Sequence, residues 1–245
     1  MRAGVMRPAR YREECEQALG RAGVDMLFVP FIEIRPLESG CVHEAIARLE
    51  CGVSSTAVFT SANGVDVAFE VAGEKLRDVL KKVDVVAIGP RTKRALAEKG
   101  IPSSSPPTYT SEGLVVMLTD VQGGIEVLRS AHGDVMLMEM LQNKPIHECV
   151  LYEITKLCKK PQREFIETVI GKGVDALLFT SRMGVEGFFE CARDAKVDDE
   201  LMCALSGVSV VAIGPPTKRA LEQMGVGARM PTQYTFSAMV ELLEG

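Results

Sequence analysis

The side chains best placed for chemistry are hydroxyls and glycines where helices open, not a cluster of acids, bases or metal ligands. The stretch Phe59-Thr60-Ser61-Ala62-Asn63-Gly64-Val65 puts a serine between a strand and a helix, and Phe179-Thr180-Ser181-Arg182-Met183-Gly184-Val185 does so again. A second pair is Ala87-Ile88-Gly89-Pro90-Arg91-Thr92 and Ala212-Ile213-Gly214-Pro215-Pro216-Thr217, in which Thr92 and Thr217 are expected to open the helices. Serine or threonine at a helix start accepts a backbone N–H, and glycine lets a neighbour come close to the main chain. The remaining N–H groups and the helix dipole favour a carboxylate or phosphate by about 0.3–1 kcal/mol per terminus. Anion binding is therefore the chemistry in prospect. Any one of these loops is equally well an ordinary cap or turn; recurrence is what makes them candidates.

One residue breaks the recurrence. Setting Phe31 against Tyr152 aligns Val29–Ile34 with Val150–Thr155, so only the second stretch carries a phenol. Tyr152 can be read as a proton donor or as a packed strand tyrosine, and the residues leave both open. Arg7 and Arg129 end the equivalent strands Val5-Met6-Arg7 and Val127-Leu128-Arg129, where they could meet carboxylates. His132, in the run Ser130-Ala131-His132-Gly133-Asp134, reads as an exposed loop histidine; His43 and His147 share no motif. The seven cysteines are odd in number and form no CxxC pair, so reduced, partly buried thiols are expected, with neither a disulfide framework nor a metal site.

The elements that must hold these residues follow from a duplication. Val85–Leu96 recurs 125 residues later as Val210–Leu221, with eleven of twelve positions identical. The serine-bearing stretch recurs 120 residues later, with Phe69-Glu70 returning as Phe189-Glu190. Pro107-Thr108-Tyr109-Thr110 returns more loosely as Pro231-Thr232-Gln233-Tyr234-Thr235. Three matches in one order mark a repeat. In the first copy, strands are expected at Gly4–Met6, Met26–Ile34, Thr56–Thr60 and Val83–Ile88. Helices are expected over Arg10–Ala22, from about Gly64, and over Thr92–Lys99; the second copy spans Ile125–Leu243. Alternating strands and helices predict α/β domains with parallel sheets covered on both faces. Ligands of such sheets sit outside the carboxyl ends of the strands, where both recurring loops fall. A cleft between the two lobes is the expected site.

Composition narrows the partners. With 245 residues, 47% apolar and 25% charged, the chain suits two ordinary domains. A net charge of -5 with scattered Lys and Arg argues against a nucleic-acid surface. The apolar runs fall short of the ~20 residues that span a bilayer, and the N-terminus lacks a signal peptide's pattern, so a cytoplasmic protein is expected. Neither GxGxxG nor GxxxxGK[ST] occurs, which counts against a dinucleotide or P-loop enzyme.

Met6-Arg7-Pro8 after the opening strand, the two serine-bearing stretches, the two Gly-Pro stretches and the strand with Tyr152 together resemble the uroporphyrinogen-III synthase family, from about Gly4 to Leu243. The resemblance implies a cofactor-free enzyme that closes the linear tetrapyrrole hydroxymethylbilane into uroporphyrinogen III. The implied course is loss of the terminal hydroxyl, a spiro intermediate, ring opening, and reclosure with ring D inverted. It also implies two similar domains joined by a two-stranded connection, one of residues 1–34 plus 156–245 and the other of 35–155. Tyr152 then matches the family's candidate for assisting hydroxyl departure. Arg7, Ser61, Ala62, Asn63, Gly89, Thr92, Arg129, Ser181, Arg182, Gly214 and Thr217 are the expected substrate contacts. The chain departs from the family at Ser130–Asp134, where many members carry an arginine. The expected partner is a small polycarboxylate, with no metal, no nucleic acid and no membrane, and the chain is expected to be a monomer. A non-catalytic two-lobed tetrapyrrole or anion sensor is the competing reading; it would need an output segment for which two lobes leave no room.

Overall fold

The computed structural model describes residues 1–38, 40–133, 136–141 and 143–243. They divide into two compact units, Met1–Ile34 with Thr155–Gly245, and Arg35–Ile154. In chain order the elements begin β1 (Arg2–Val5), α1 (Arg12–Arg21), β2 (Asp25–Phe28), β3 (Ile32–Pro36), α2 (Cys41–Glu50) and β4 (Ser54–Phe59). Next come α3 (Ala62–Leu80), β5 (Asp84–Ala87), α4 (Pro90–Glu98), α5 (Ser111–Leu118), β6 (Gly124–Ser130), α6 (Met136–Met140) and β7 (Ile146–Lys156). The chain ends with α7 (Lys160–Ile170), β8 (Ala176–Phe179), α8 (Arg182–Ala195), α9 (Asp198–Leu205), β9 (Ser209–Ala212), α10 (Pro215–Gln223) and α11 (Phe236–Glu241).

One sheet runs β2-β1-β8-β9 and the other β3-β7-β6-β4-β5. Every pairing of the first is parallel, as are β4 with β5 and β6, and β6 with β7. The repeat therefore builds sheets that are parallel apart from β3, which meets β7 antiparallel through Leu37 N–H on the Leu151 carbonyl and Leu157 N–H on the Phe31 carbonyl, and apolar clusters cover both faces of the first sheet. In β8 the alternation is visible residue by residue. Leu177 and Phe179 enter a cluster with Phe31, Phe165 and Phe188, while Ala176 and Leu178 enter another with Val5, Leu19 and Met239. Phe31 packs edge-on against Phe165 and Phe188, with centroids 5.5 and 5.2 Å away. The other unit buries Val58, Val86, Ile125 and Val127 under Leu114 and Leu118.

Three expectations need correction. The single strand expected over Met26–Ile34 is two strands in different sheets, β2 and β3. Proline lacks an N–H for a ladder, and Pro30 lies in the break between them. Secondly, Thr92 and Thr217 do not open their helices. Gly89 and Gly214 are the N-caps, both extended, and proline takes the first helical position, where its fixed φ and missing donor are tolerated. Thirdly, four cysteines are paired. Cys41 at the start of α2 is joined to Cys149 on β7, and Cys158 to Cys191 on α8. The partners are 108 and 33 residues apart; only tertiary structure brings them together, so neither count nor local spacing signals the bonds. Cys15, Cys51 and Cys203 are free thiols.

Candidate functional site

The strand ends place the recurring residues as their types require. Ser61 follows β4 in an extended conformation, and its Oγ accepts the Gly64 N–H at 3.0 Å. Ser181 follows β8 and accepts the Gly184 N–H at the same distance. Both serines are half-buried, as are Ala62 and Asn63 beside the first, whereas Arg182 is exposed and pairs with Glu186 one turn on, at 3.3 Å. Gly89 and Gly214 are buried, and Thr92 and Thr217, each the third residue of its helix, are buried with them. The prolines also thin the donors at these helix starts: α10 opens with Pro215 and Pro216, so neither offers an N–H.

What comes close to these glycines is a tyrosine in each copy. A Cβ on Gly89 would lie 3.3 Å from Tyr109 Cβ, and one on Gly214 would lie 3.5 Å from Tyr234 Cγ. Both tyrosines are about half exposed, beside Thr110 and Thr235, which cap α5 and α11 through the N–H groups of Gly113 and Ala238. Neither tyrosine is among the expected contacts; the loosest of the three repeats, which carries both, is their one mark in the sequence.

Tyr152 belongs to the same strand edge as Ser61. It stands opposite Ser130, the last residue of β6, across a bulge: Arg129 pairs with Val150 but Ser130 with Tyr152, leaving Leu151 as the extra residue. Successive side chains of a regular strand point to opposite faces, and a bulge re-aims them. Here Leu151 and Tyr152 both approach the start of α3. A Cβ on Gly64 would lie 3.3 Å from Leu151 Cδ1 and 3.8 Å from Tyr152 Cε1. Only 2% of Tyr152 is exposed, and its hydroxyl lies 2.9 Å from Ser61 Oγ, a hydrogen bond in which either oxygen can donate. Phe31, aligned with it in the other copy, is an aromatic core residue.

The two arginines are buried with partners of their own. Arg7 meets Glu14 at 2.9 Å and lies over the rings of Tyr11 and Phe236, 4.3 and 5.1 Å from their centroids. Burial opposes its charge, but Glu14 and Cys15 more than compensate, so its pKa is raised. Arg129 pairs with Glu148 and donates to the carbonyls of Ser130 at 3.1 Å and Gly133 at 3.2 Å. Both guanidinium groups are thus held by carboxylates of the protein itself, Glu14 and Glu148. The nearby His132 is exposed, with Nδ1 3.5 Å from the Ile154 N–H, and Asp134 lies outside the described residues. Two hollows in the units, about 560 Å³ beside Thr56, Asp84 and Ser104 and about 650 Å³ beside Lys172, Asp175 and Cys203, lie toward the amino ends of strands and include no predicted site residue. The site is thus marked by its side chains, not by enclosure. Among the described residues no helix is long and apolar enough to cross a membrane.

Fold and strand-end loops together define the class: a duplicated α/β protein of two parallel-sheet units with hydroxyl-capped helices at the carboxyl edges and one buried phenol beside them. The comparisons narrow it. The family profile HEM4, Uroporphyrinogen-III synthase HemD, matches residues 13–241, and the chain belongs to that family. A provisionally named uroporphyrinogen-III synthase of Methanothermobacter thermautotrophicus is 30% identical over 98% of this chain and 96% of its own length. Its counterpart from Archaeoglobus fulgidus, named with the same reservation, is 28% identical over 100% and 98%. Among solved structures, a mutant uroporphyrinogen III synthase of Thermus thermophilus superimposes with a TM-score of 0.70 at 23% identity, over 100% of this chain and 97% of that one. The Helicobacter pylori enzyme gives 0.56 at 18%, over 99% and 98%. The family's activity is that of a cyclising lyase in tetrapyrrole biosynthesis.

Proposed function

We propose that this chain closes hydroxymethylbilane into uroporphyrinogen III with ring D inverted, and that Tyr152 assists departure of the terminal hydroxyl. The observation that supports the role of Tyr152 is a buried phenol at the carboxyl edge of its sheet, hydrogen-bonded to Ser61 at 2.9 Å. Hydroxide is a poor leaving group. A phenol that gives its proton to the departing oxygen releases water, while electrons from the pyrrole nitrogen fill the vacated carbon bond. The resulting electrophile is attacked within the same molecule, giving the spiro intermediate. Ring opening and reclosure follow, and the proton lost at the final ring carbon returns to the phenolate. The balance is one water released, with no oxidant or reductant, and no cofactor is called for.

Ala62, Asn63, Gly89, Thr92, Ser181, Arg182, Gly214 and Thr217 would then contact the substrate's carboxylates, through hydroxyls, main-chain N–H groups and one exposed guanidinium, with Ser61 beside them on the phenol. Holding a flexible reactant in a single shape suppresses ring closure without inversion, so orientation supplies most of the rate. Arg7 and Arg129, each steadied by a carboxylate of its own, would meet the same substrate groups at the equivalent strand ends. The same reading has the chain working as a cytoplasmic monomer.

Freshly made hydroxymethylbilane, with products separated by isomer, tests the function. Mostly isomer III is expected; isomer I at the rate found without protein would reject it. Tyr152→Phe should lower turnover more than about tenfold, as loss of ~1.4 kcal/mol of transition-state stabilisation requires. Wild-type turnover in that variant would return Tyr152 to packing.

A further inference from the structure

We infer that Ser61 acts on the reaction through Tyr152, as the positioning residue that fixes the phenol oxygen and donates to it once its proton has left. The inference deepens the reading of Tyr152 above and rests on it. Ser61 Oγ accepts the Gly64 N–H at 3.0 Å and faces Tyr152 Oη at 2.9 Å. A serine hydroxyl has one hydrogen and two lone pairs. Gly64 engages one lone pair, which leaves the hydrogen and the second lone pair available to the phenol. While Tyr152 is protonated either oxygen can donate; once it is a phenolate only the serine can. The pair therefore keeps its hydrogen bond in both protonation states without moving a heavy atom, and a charge-assisted bond to the phenolate is the stronger of the two.

The repeat separates this role from capping. Ser181 accepts the Gly184 N–H at the same 3.0 Å, yet Met6, not a phenol, approaches that glycine. Capping alone does not call for a tyrosine. In the second unit the bulge at Leu151 delivers one, and the half-buried serine becomes its neighbour.

The test must remove the hydroxyl while sparing the cap. Glycine at an N-cap costs only a few tenths of a kcal/mol relative to serine, so Ser61→Gly is the informative variant. With hydroxymethylbilane as substrate, its kcat for isomer III should fall about tenfold with KM changed by less than about threefold. Ser61→Thr, which restores a hydroxyl, should recover kcat to within about twofold of wild type. In a Tyr152→Phe background, Ser61→Gly should change turnover by less than about twofold, because two residues that act as one unit are not additive.

Fully multiplicative losses in the double variant would overturn the inference by making Ser61 a direct substrate contact, with the reading of Tyr152 intact. A Ser61→Thr variant no faster than Ser61→Gly would overturn it too. Wild-type turnover in Tyr152→Phe would instead remove the reading of Tyr152 on which it stands.

Discussion

Gly64 carries more of the site than its size suggests. It supplies the N–H that orients Ser61, and its missing side chain leaves room for Leu151 and Tyr152. A Cβ there would lie 3.0 Å from Ser61 Oγ and 3.3 Å from Leu151 Cδ1, so these neighbours must yield by a few tenths of an ångström. Alanine is also the better helix former by about 1 kcal/mol, which offsets the strain. Gly64→Ala should thus unfold within about 1 kcal/mol of wild type while its isomer III turnover falls severalfold, because the groups displaced are the serine and the bulge that carries the phenol. Unfolding curves and single-substrate kinetics on the same preparation check both halves; wild-type turnover would show that the phenol's placement tolerates the shift. Tyr152 was legible in the sequence because the two copies differ there. Its hydrogen bond was not, since an extra residue such as Leu151 leaves no mark in a pattern of alternating side chains. Arg7 and Arg129 were located at the strand ends, but their pairing with Glu14 and Glu148 was not legible, since no motif spacing marks it.

At the scale of elements, the strands and helices within the repeated stretches were legible in order because a duplicated segment reports its own boundaries twice, whereas α2 and α5, outside those stretches, were not. Ser61 and Ser181 were read as N-caps and are N-caps. Pro30 was visible yet was carried inside one long strand, and the division of β2 from β3 between two sheets follows from pairing partners that no local pattern names. Polar residues inside strands were equally silent. Glu126, in the middle of β6, has no exposed surface; it receives Arg48 of α2 at 2.8 and 2.9 Å through two nitrogens, and Ser54 of β4 at 2.6 Å. The arrangement ties a helix and two strands together, and the carboxylate raises the pKa of Arg48 chiefly through the hydrogen bond. Removing Arg48 leaves a buried charge with only a serine to answer it. Arg48→Ala should therefore cost about 2–4 kcal/mol in urea unfolding, somewhat below the cost of breaking a fully buried pair because the arginine is partly exposed. Arg48→Lys should recover only part of this, since an ammonium cannot match the two-pronged contact. A loss below about 0.5 kcal/mol, the range of ordinary surface substitutions, would show that the pair is screened by water and does not anchor α2.

Across the whole molecule the cysteines make the sharpest contrast between sequence and structure, and they can be counted. Each disulfide lies within one unit: Cys41–Cys149 in Arg35–Ile154, and Cys158–Cys191 in the other. Loops closed over 108 and 33 residues restrict the unfolded chain enough to stabilise by about 3–5 kcal/mol each on the chain-entropy account. Among the free thiols, Cys51 and Cys203 are exposed, whereas Cys15 is fully buried beside Arg7. Burial raises the Cys15 pKa, and the nearby arginine only partly opposes it. A thiol whose folded pKa is raised favours the folded state while pH stays below the ordinary thiol value, 9.0. That contribution fades as pH climbs from there through the raised value, because the unfolded chain ionises first. Protein purified without reductant should accordingly show two rapidly reacting thiols when native and three once unfolded in denaturant, from the pairing and exposure just described. Reduction should bring the unfolded count to seven, the full complement, and should lower the thermal midpoint at neutral pH. Paired Cys41→Ser and Cys149→Ser substitutions should reproduce part of that fall and make it insensitive to reductant at that site. Seven reactive thiols in unreduced, unfolded protein would mean that both pairs stand as neighbouring thiols, and the midpoint would then be indifferent to reductant.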